Sequence, residues 1–398
     1  MSNPLAIDGG TPVRSQPFPA WPVFDHREER ALLEVLHSGH WGALTGTKVP
    51  AFEKAFAQFQ DAAYGVCVPN GTIALELALR ALGVGPGDEV ITTPYTFIAT
   101  ASAAFAVGAR PVFVDIDPDS LNLDPDRLEA AITERTKVIA PVHIGGHSAD
   151  MDGVLRVAAA HGLRVLEDAA QAWGASWRGR RVGALGDLGI FSFQSSKNIT
   201  AGEGGIVLTN DAELAELCWS IHNVGRVPGG EWYQHERLGS NLRMTEWQAA
   251  VLLAQLERLP EQLALREANA RYLAERLAAV PGLTPLPTDP HVTQHARHLF
   301  AIRFEPAAFG DRSRDEFLAA WRAEGIAATS AGYIPLHQSP AIRRALESRF
   351  EVHDLPSFPV AERAAQNTLW LFQNALLDDR AGLDTIVEAA LKIQRAWG

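Results

Sequence analysis

Short apolar runs rich in β-branched residues alternate along the first half of the chain with stretches whose apolar positions recur every three or four residues. The runs lie at 64–68, 89–93, 110–116, 137–144, 164–168, 188–193 and 204–209. They are apolar nearly throughout, as expected of strands covered on both faces. Helical patterns lie between most of them: TIALELALRAL, FIATASAAFAV, PDRLEAAIT and ADMDGVLRVAAAHG. This alternation predicts an α/β fold built on an open, mostly parallel sheet. Too little chain separates 188–193 from 204–209 for a crossover helix, so that part of the sheet is expected to be antiparallel or irregularly connected.

The flanks read differently. Residues 1–25 are rich in Pro and Gly and predict an extended arm. Residues 26–250 then form a large domain around the sheet. A long helical stretch spans 245–282, and Pro260 is expected to kink or divide it. Beyond it, LFAIRFE reads as a strand, and SRDEFLAAWRAEGI and GLDTIVEAALKIQRAW read as helices. Residues 251–398 thus predict a linking helix and a smaller C-terminal α/β domain.

Composition narrows the function. With 398 residues, 47% apolar and 21% charged, this is an ordinary soluble globular chain. A net charge of −12 argues against nucleic acid as a partner. Cys67 and Cys218 make neither a disulfide framework nor a CxxC pair, which suits a reducing compartment. The N-terminus has no basic segment followed by an apolar one, and no apolar window is long enough to span a bilayer. A cytoplasmic enzyme with no membrane partner is expected. No His/Cys/Asp spacing suggests a metal site.

In an open α/β sheet, ligands bind beyond the carboxyl ends of the strands. Asn70-Gly71-Thr72 follows the first run and opens a helix, where free N–H groups suit a phosphate or simply need a cap. Phe97 follows the second and could stack on an aromatic ligand or belong to the core. Asp168 ends an apolar strand, where an unpartnered carboxylate is costly; it suits a protonated ring nitrogen, a helix cap or a salt bridge. Lys197 lies between FSFQSS and a dense glycine cluster. It is either a solvated loop residue or a desolvated nucleophile. Together these residues supply what pyridoxal 5′-phosphate (PLP) requires: an imine-forming lysine, an acid for the ring nitrogen, a stacking aromatic and a phosphate cradle.

Motifs along nearly the whole chain strengthen this reading: LAIDGGTPVR, NGTIALELAL, GVGPGDEVITTPYTFIATASA, PVFVDIDPDSLNLDP, KVIAPVHIGG, LEDAAQAWGA, FSFQSSKNITAGEGG and GSNLRMTEWQAA. In combination they resemble the DegT/DnrJ/EryC1/StrS aminotransferases. The resemblance implies an aspartate-aminotransferase-like PLP fold with a mixed, mostly parallel seven-stranded sheet. It implies Lys197 as the cofactor-binding lysine and proton shuttle, Asp168 as the acid on the pyridine nitrogen, and Gln171 near the ring's 3′ oxygen. Phe97 matches the stacking aromatic, and Gly71, Thr72 and Ser192 match phosphate contacts. Asn70 stands where a serine is frequent. Asn241 matches an asparagine that reaches the phosphate of the neighbouring subunit, so a homodimer with shared active sites is expected.

Gln194 and Ala201 replace a His and a Thr common in the nucleotide-sugar branch. FSFQxxKxxTAGEGG is closer to the enzymes that aminate scyllo-inosose-type keto-cyclitols, with L-glutamine a frequent donor, and to aminohydroxybenzoate synthase. The expected activity is transfer of an amino group from L-glutamine or L-glutamate to a keto-cyclitol or keto-sugar. A dehydrating, aromatising relative and a PLP-binding regulator remain alternatives. Dehydratases of this fold carry histidine at the lysine position, which argues against them. His143, His147, His222, Arg226 and Arg243 lie near the motifs as possible substrate contacts. Trp21, Trp41, Trp173 and Trp232 are expected in core or interface packing.

Overall fold

The structure, a computed structural model, describes residues 4–398. Seven strands form the large sheet: β1 (Tyr64–Val68), β2 (Glu89–Thr92), β3 (Arg110–Phe113), β4 (Thr136–Ile139), β5 (Arg164–Asp168), β6 (Leu188–Ser192) and β7 (Gly205–Thr209). Their order is β1-β7-β6-β5-β4-β2-β3. Every neighbouring pair is parallel except the two that involve β7. β7 alone is reversed, because the chain from 193 to 204 is a tight loop and not a crossover. β1 still runs with β6, so its carboxyl end opens on the same edge as those of β5 and β6.

Apolar residues cover both faces. One core cluster includes Phe52, Phe56, Trp173, Phe191 and Phe193; another includes Val68, Leu75, Val90, Ile190 and Val207. Gly71–Ala81, Ala99–Ala106 and Met151–His161 are helical, as their spacing predicts. PDRLEAAIT is not a helix. It makes two 3₁₀ turns, Pro125–Arg127 and Glu129–Ala131. Leu128 is the one fully buried side chain there, too little to give a helix an apolar face.

Two α-helices precede β1. His26–Ser38 starts at an Asp25/Glu28 capping box. Lys48–Phe59 has no cap from its own N-cap residue, Thr47. Its cap comes from Glu246, in the MTEWQAA motif. That buried carboxylate accepts N–H bonds from Thr47, Lys48 and Val49 at 2.8, 2.7 and 2.8 Å. Glu246→Gln is expected to destabilise the fold by about 1.5–3 kcal/mol, the worth of hydrogen bonds to a charged acceptor. Urea denaturation at neutral pH measures it.

Glu246–Leu277 is one unbroken helix of 32 residues. Pro260 does not divide it. The proline is exposed, while Leu259 and Leu263 beside it are buried and hold both halves on one axis. After the helix come four antiparallel strands in the spatial order Leu283–Pro285, Leu299–Phe304, Thr368–Phe372, Thr329–Ser330. Arg314–Ala323 and Arg380–Trp397 pack against them. Leu5 joins this C-terminal core. Arg14 bonds Asp378 and the carbonyls of Gly382 and Pro17, and the N–H groups of Ala6 and Val13 bond Glu324. The arm is therefore fastened to the C-terminal part of the chain.

Candidate active site

One cavity of about 1180 Å³ opens beyond the carboxyl edge of the sheet. Its wall includes Asn70, Gly71, Thr72, Phe97, Asp168, Gln171, Ser192, Gln194 and Lys197, together with residues of the arm and the C-terminal sheet. Seven of the eight predicted site residues meet here: Gly71, Thr72, Phe97, Asp168, Gln171, Ser192 and Lys197. Asn241 does not. It is exposed and lies outside the cavity, bridged to Asn223. His143, His147, His222, Arg226 and Arg243 do not line it either.

Asp168 is the last residue of β5 and is 5% exposed. Thr100 donates its hydroxyl to Oδ2 at 2.7 Å, and the Ala170 N–H donates to Oδ1 at 3.2 Å. Burial pushes its pKa up, and those two bonds and the charge of Lys197 oppose the shift. Behind it, His143 takes the Ala149 N–H on Nδ1, so its Nε2–H donates to Glu167. Glu167 also accepts from Gly183, Leu185 and Gly186. This buried network fixes the end of β5.

Lys197 rides on the loop that joins β6 to β7. The Phe193 N–H bonds Gly204 O, the Thr200 hydroxyl bonds Phe193 O, and the Lys197 N–H bonds Gln194 O. Next to it, Asn198 donates to Ala296 O and accepts from His298 Nδ1. The Lys197 Nζ lies 5.9 Å from the centroid of the Trp173 ring. Burial pulls its pKa down to about 8, and Asp168 opposes the shift. About a tenth of such an amine is the neutral nucleophile at pH 7, far more than of an ordinary lysine.

Gly71 begins the helix Gly71–Ala81, and Asn70 caps it by accepting the Ile73 N–H at 2.9 Å. Asn70 thus serves as the N-cap where a serine is frequent. The first N–H groups of a helix have no acceptor within it, and the positive dipole end favours an anion. This corner of the cavity is tightly built. A Cβ on Gly71 would meet Ser192 Cβ at 2.8 Å, and one on Gly205 would meet the Asn70 carbonyl carbon at 2.5 Å. Gly205→Ala must displace backbone. It is expected to cost about 1–3 kcal/mol by overpacking and to weaken phosphate-cofactor retention, measured by denaturation and equilibrium dialysis against PLP.

Tyr333 enters the wall with no sequence signal, and it does so through Gln171. Gln171 accepts the Gly145 N–H and donates Nε2 to the Tyr333 hydroxyl at 2.8 Å. Tyr333 comes from the C-terminal part, its pKa pushed up to about 12 by burial. Its proton is left free to be donated. Trp21 is a wall of the cavity and bonds Ser195 O at 3.1 Å. Trp173 is fully buried, whereas Trp41 and Trp232 are half exposed. Among the described residues no His/Cys/Asp/Glu group could hold a metal ion, and no helix is long and apolar enough to cross a membrane.

A mostly parallel sheet with one reversed strand, and a lysine carried on the loop that enters that strand, define the aspartate-aminotransferase-like fold of the PLP transferases. The crystal structure of a 3-amino-5-hydroxybenzoic acid synthase shares it at a TM-score of 0.88 and 35% identity, over 96% of this chain and 100% of that one. The chain belongs to the DegT/DnrJ/EryC1/StrS aminotransferase family, which residues 22–390 match. An L-glutamine:2-deoxy-scyllo-inosose aminotransferase from Streptoalloteichus tenebrarius is 41% identical over 99% of this chain and 98% of its own. A 3-amino-5-hydroxybenzoate synthase from Amycolatopsis mediterranei is 44% identical over 72% of this chain and 74% of its own.

Proposed function

We propose that the protein uses PLP to move the amino group of L-glutamine onto a keto-cyclitol. The observation that carries this reading is the pairing of a half-buried amine, held near 8, with a buried carboxylate across one cavity. The cavity also has the means to hold the cofactor. A carboxylate buried with two hydrogen bonds suits an apposed ring N–H⁺, and the Gly71 helix end suits a phosphate.

When bound, the cofactor supplies a carbonyl that carries the amino group and a ring that takes up electrons from the substrate carbon. Lys197 would hold the cofactor covalently and move the proton at the reacting carbon. Asp168, itself held by Thr100 and the Ala170 N–H, would keep a proton on the ring nitrogen. Phe97 would pack on the ring, and Gly71, Thr72 and Ser192 would receive the phosphate. Gln171 and Tyr333, bonded to each other, would hold the ring's oxygen substituent.

The reading includes a homodimer in which Asn241 of each protomer reaches the phosphate end of the other site. Its exposure outside its own cavity supports this, as do the exposed Trp232, Tyr233 and Leu238 on the same loop. The test incubates the PLP-loaded protein with L-glutamine and 2-deoxy-scyllo-inosose and follows the products by mass spectrometry. Aminated cyclitol with an equal yield of 2-oxoglutaramate is expected. A product that has lost water and become aromatic, with no 2-oxoglutaramate, would favour the aminohydroxybenzoate synthase reading instead.

A further inference from the structure

The amino-acid donor carries a carboxylate, yet the cavity wall offers little to receive it. Its charged residues are Asp168, Glu203 and Lys197, two acids and one base. Lys197 is committed to the chemistry. Among the described residues no arginine reaches the wall.

One arginine lies directly behind it. Arg266, in the middle of the helix Glu246–Leu277, is 0% exposed. Burial pushes its pKa down to about 9, and no acidic group opposes that shift. It therefore stays charged at neutral pH with no carboxylate partner among the described residues. A buried cation without a counter-charge is expensive. Its Nη1 has no hydrogen-bond partner at all.

Its other donors converge on one cavity residue. Nε donates to Gln373 Oε1 at 3.1 Å, Nη2 donates to the same oxygen, and Nε also touches the Gln373 carbonyl at 3.4 Å. Gln373 is 3% exposed and lines the cavity. With its carbonyl oxygen turned to the guanidinium, its amide N–H groups point the other way, and no described residue accepts from them. Trp21, also on the wall, lies with its ring centroid 5.4 Å from the guanidinium. His298, also on the wall, has its pKa pushed well down by burial, and the charges of Lys197 and Arg266 push it the same way.

We propose that Gln373 receives the carboxylate of the amino-acid donor, with Arg266 fixing the direction of its amide and supplying the counter-charge. The inference rests on the transaminase reading. It divides the cavity into an amine end at Lys197 and a carboxylate end at Gln373. Gln373 contacts the donor. Arg266 is a positioning residue that acts through it.

The test uses the PLP-loaded dimeric enzyme and three donors: L-glutamine, L-glutamate and L-glutaminol, in which a hydroxymethyl group replaces the carboxylate. Gln373→Glu keeps the size of the side chain, pairs with Arg266 and repels a carboxylate. Gln373→Leu removes the donor group without adding charge. Either is expected to raise KM for L-glutamine by about 10- to 100-fold, the range set by one hydrogen bond to a charged group. Saturating kcat and KM for the ketone should stay within about twofold. The wild type should use L-glutaminol poorly by a similar factor, and the variants should lose that preference, which a merely structural role would not produce. An unchanged KM for L-glutamine, or a ketone KM that rises in proportion, overturns the proposal. A wild type that accepts an amino group from no amino acid overturns the transaminase reading itself.

Discussion

Lys197→Ala is expected to abolish turnover. The lost proton transfer alone is worth about 10²–10⁴-fold, and loss of the nucleophile adds to it. The measurement is steady-state amination of the ketone, with the visible absorbance of the reconstituted protein beside it. Residual activity above about 1% of wild type would contradict the assignment. The same residue carries a pH signature that needs no substrate. Its amine titrates near 8 in the fold against an ordinary value of 10.5. Between those values the folded chain binds fewer protons than the unfolded one, so the stability of cofactor-free protein gains as pH climbs through that window. Lys197→Met removes that gain. A melting-temperature profile from pH 7 to 10.5 compares the two.

Asp168→Asn is the second large effect, and here activity and stability part company. Activity should fall by at least about 10²-fold, because a neutral amide cannot hold a proton on the ring nitrogen as a carboxylate does. The cofactor-free variant should melt no lower than wild type. Burial raises the Asp168 pKa, so the folded chain binds more protons there than the unfolded chain, and stability is lost as pH rises through the raised value. Asparagine has no charge to bury. A variant that keeps its activity and melts lower would mean that Asp168 is a structural anchor. The expected pattern is that of a site residue held at a cost to the fold.

Much of this site can be read from the chain because its residues sit beside strands, and strands of this buried type announce themselves. Asp168 ends its run, Ser192 lies one residue before the end of its own, Asn70 and Phe97 follow theirs, and the short 193–204 segment leaves no room for a crossover helix. The parts that could not be read depend on contacts distant in sequence. Arg266 looks like any charged helix residue until Gln373 is placed against it. Tyr333 and Trp21 reach the cavity from the two ends of the chain. The helix at 48–59 is capped by Glu246, which no local pattern reveals. Pro260 misleads for the opposite reason: local propensity favours a break, and burial of Leu259 and Leu263 overrides it. PDRLEAAIT misleads because good helix formers without an apolar stripe do not hold a helix.

The reversed strand has a consequence for how the protein comes into being. β7 is wedged between β1 and β6, with Gly205 opposite both Val68 and Ser192. The helix N-terminus that follows β1 and the lysine loop that precedes β7 are brought together only when this distant segment arrives. Chain closure of that length is slow compared with local helix formation. A ribosome-bound chain ending before residue 205 has no complete phosphate cradle, however much of the parallel sheet it has already formed. Under the transaminase reading, cofactor capture has to wait for this segment, and bound PLP in a folding experiment would report that β7 has docked.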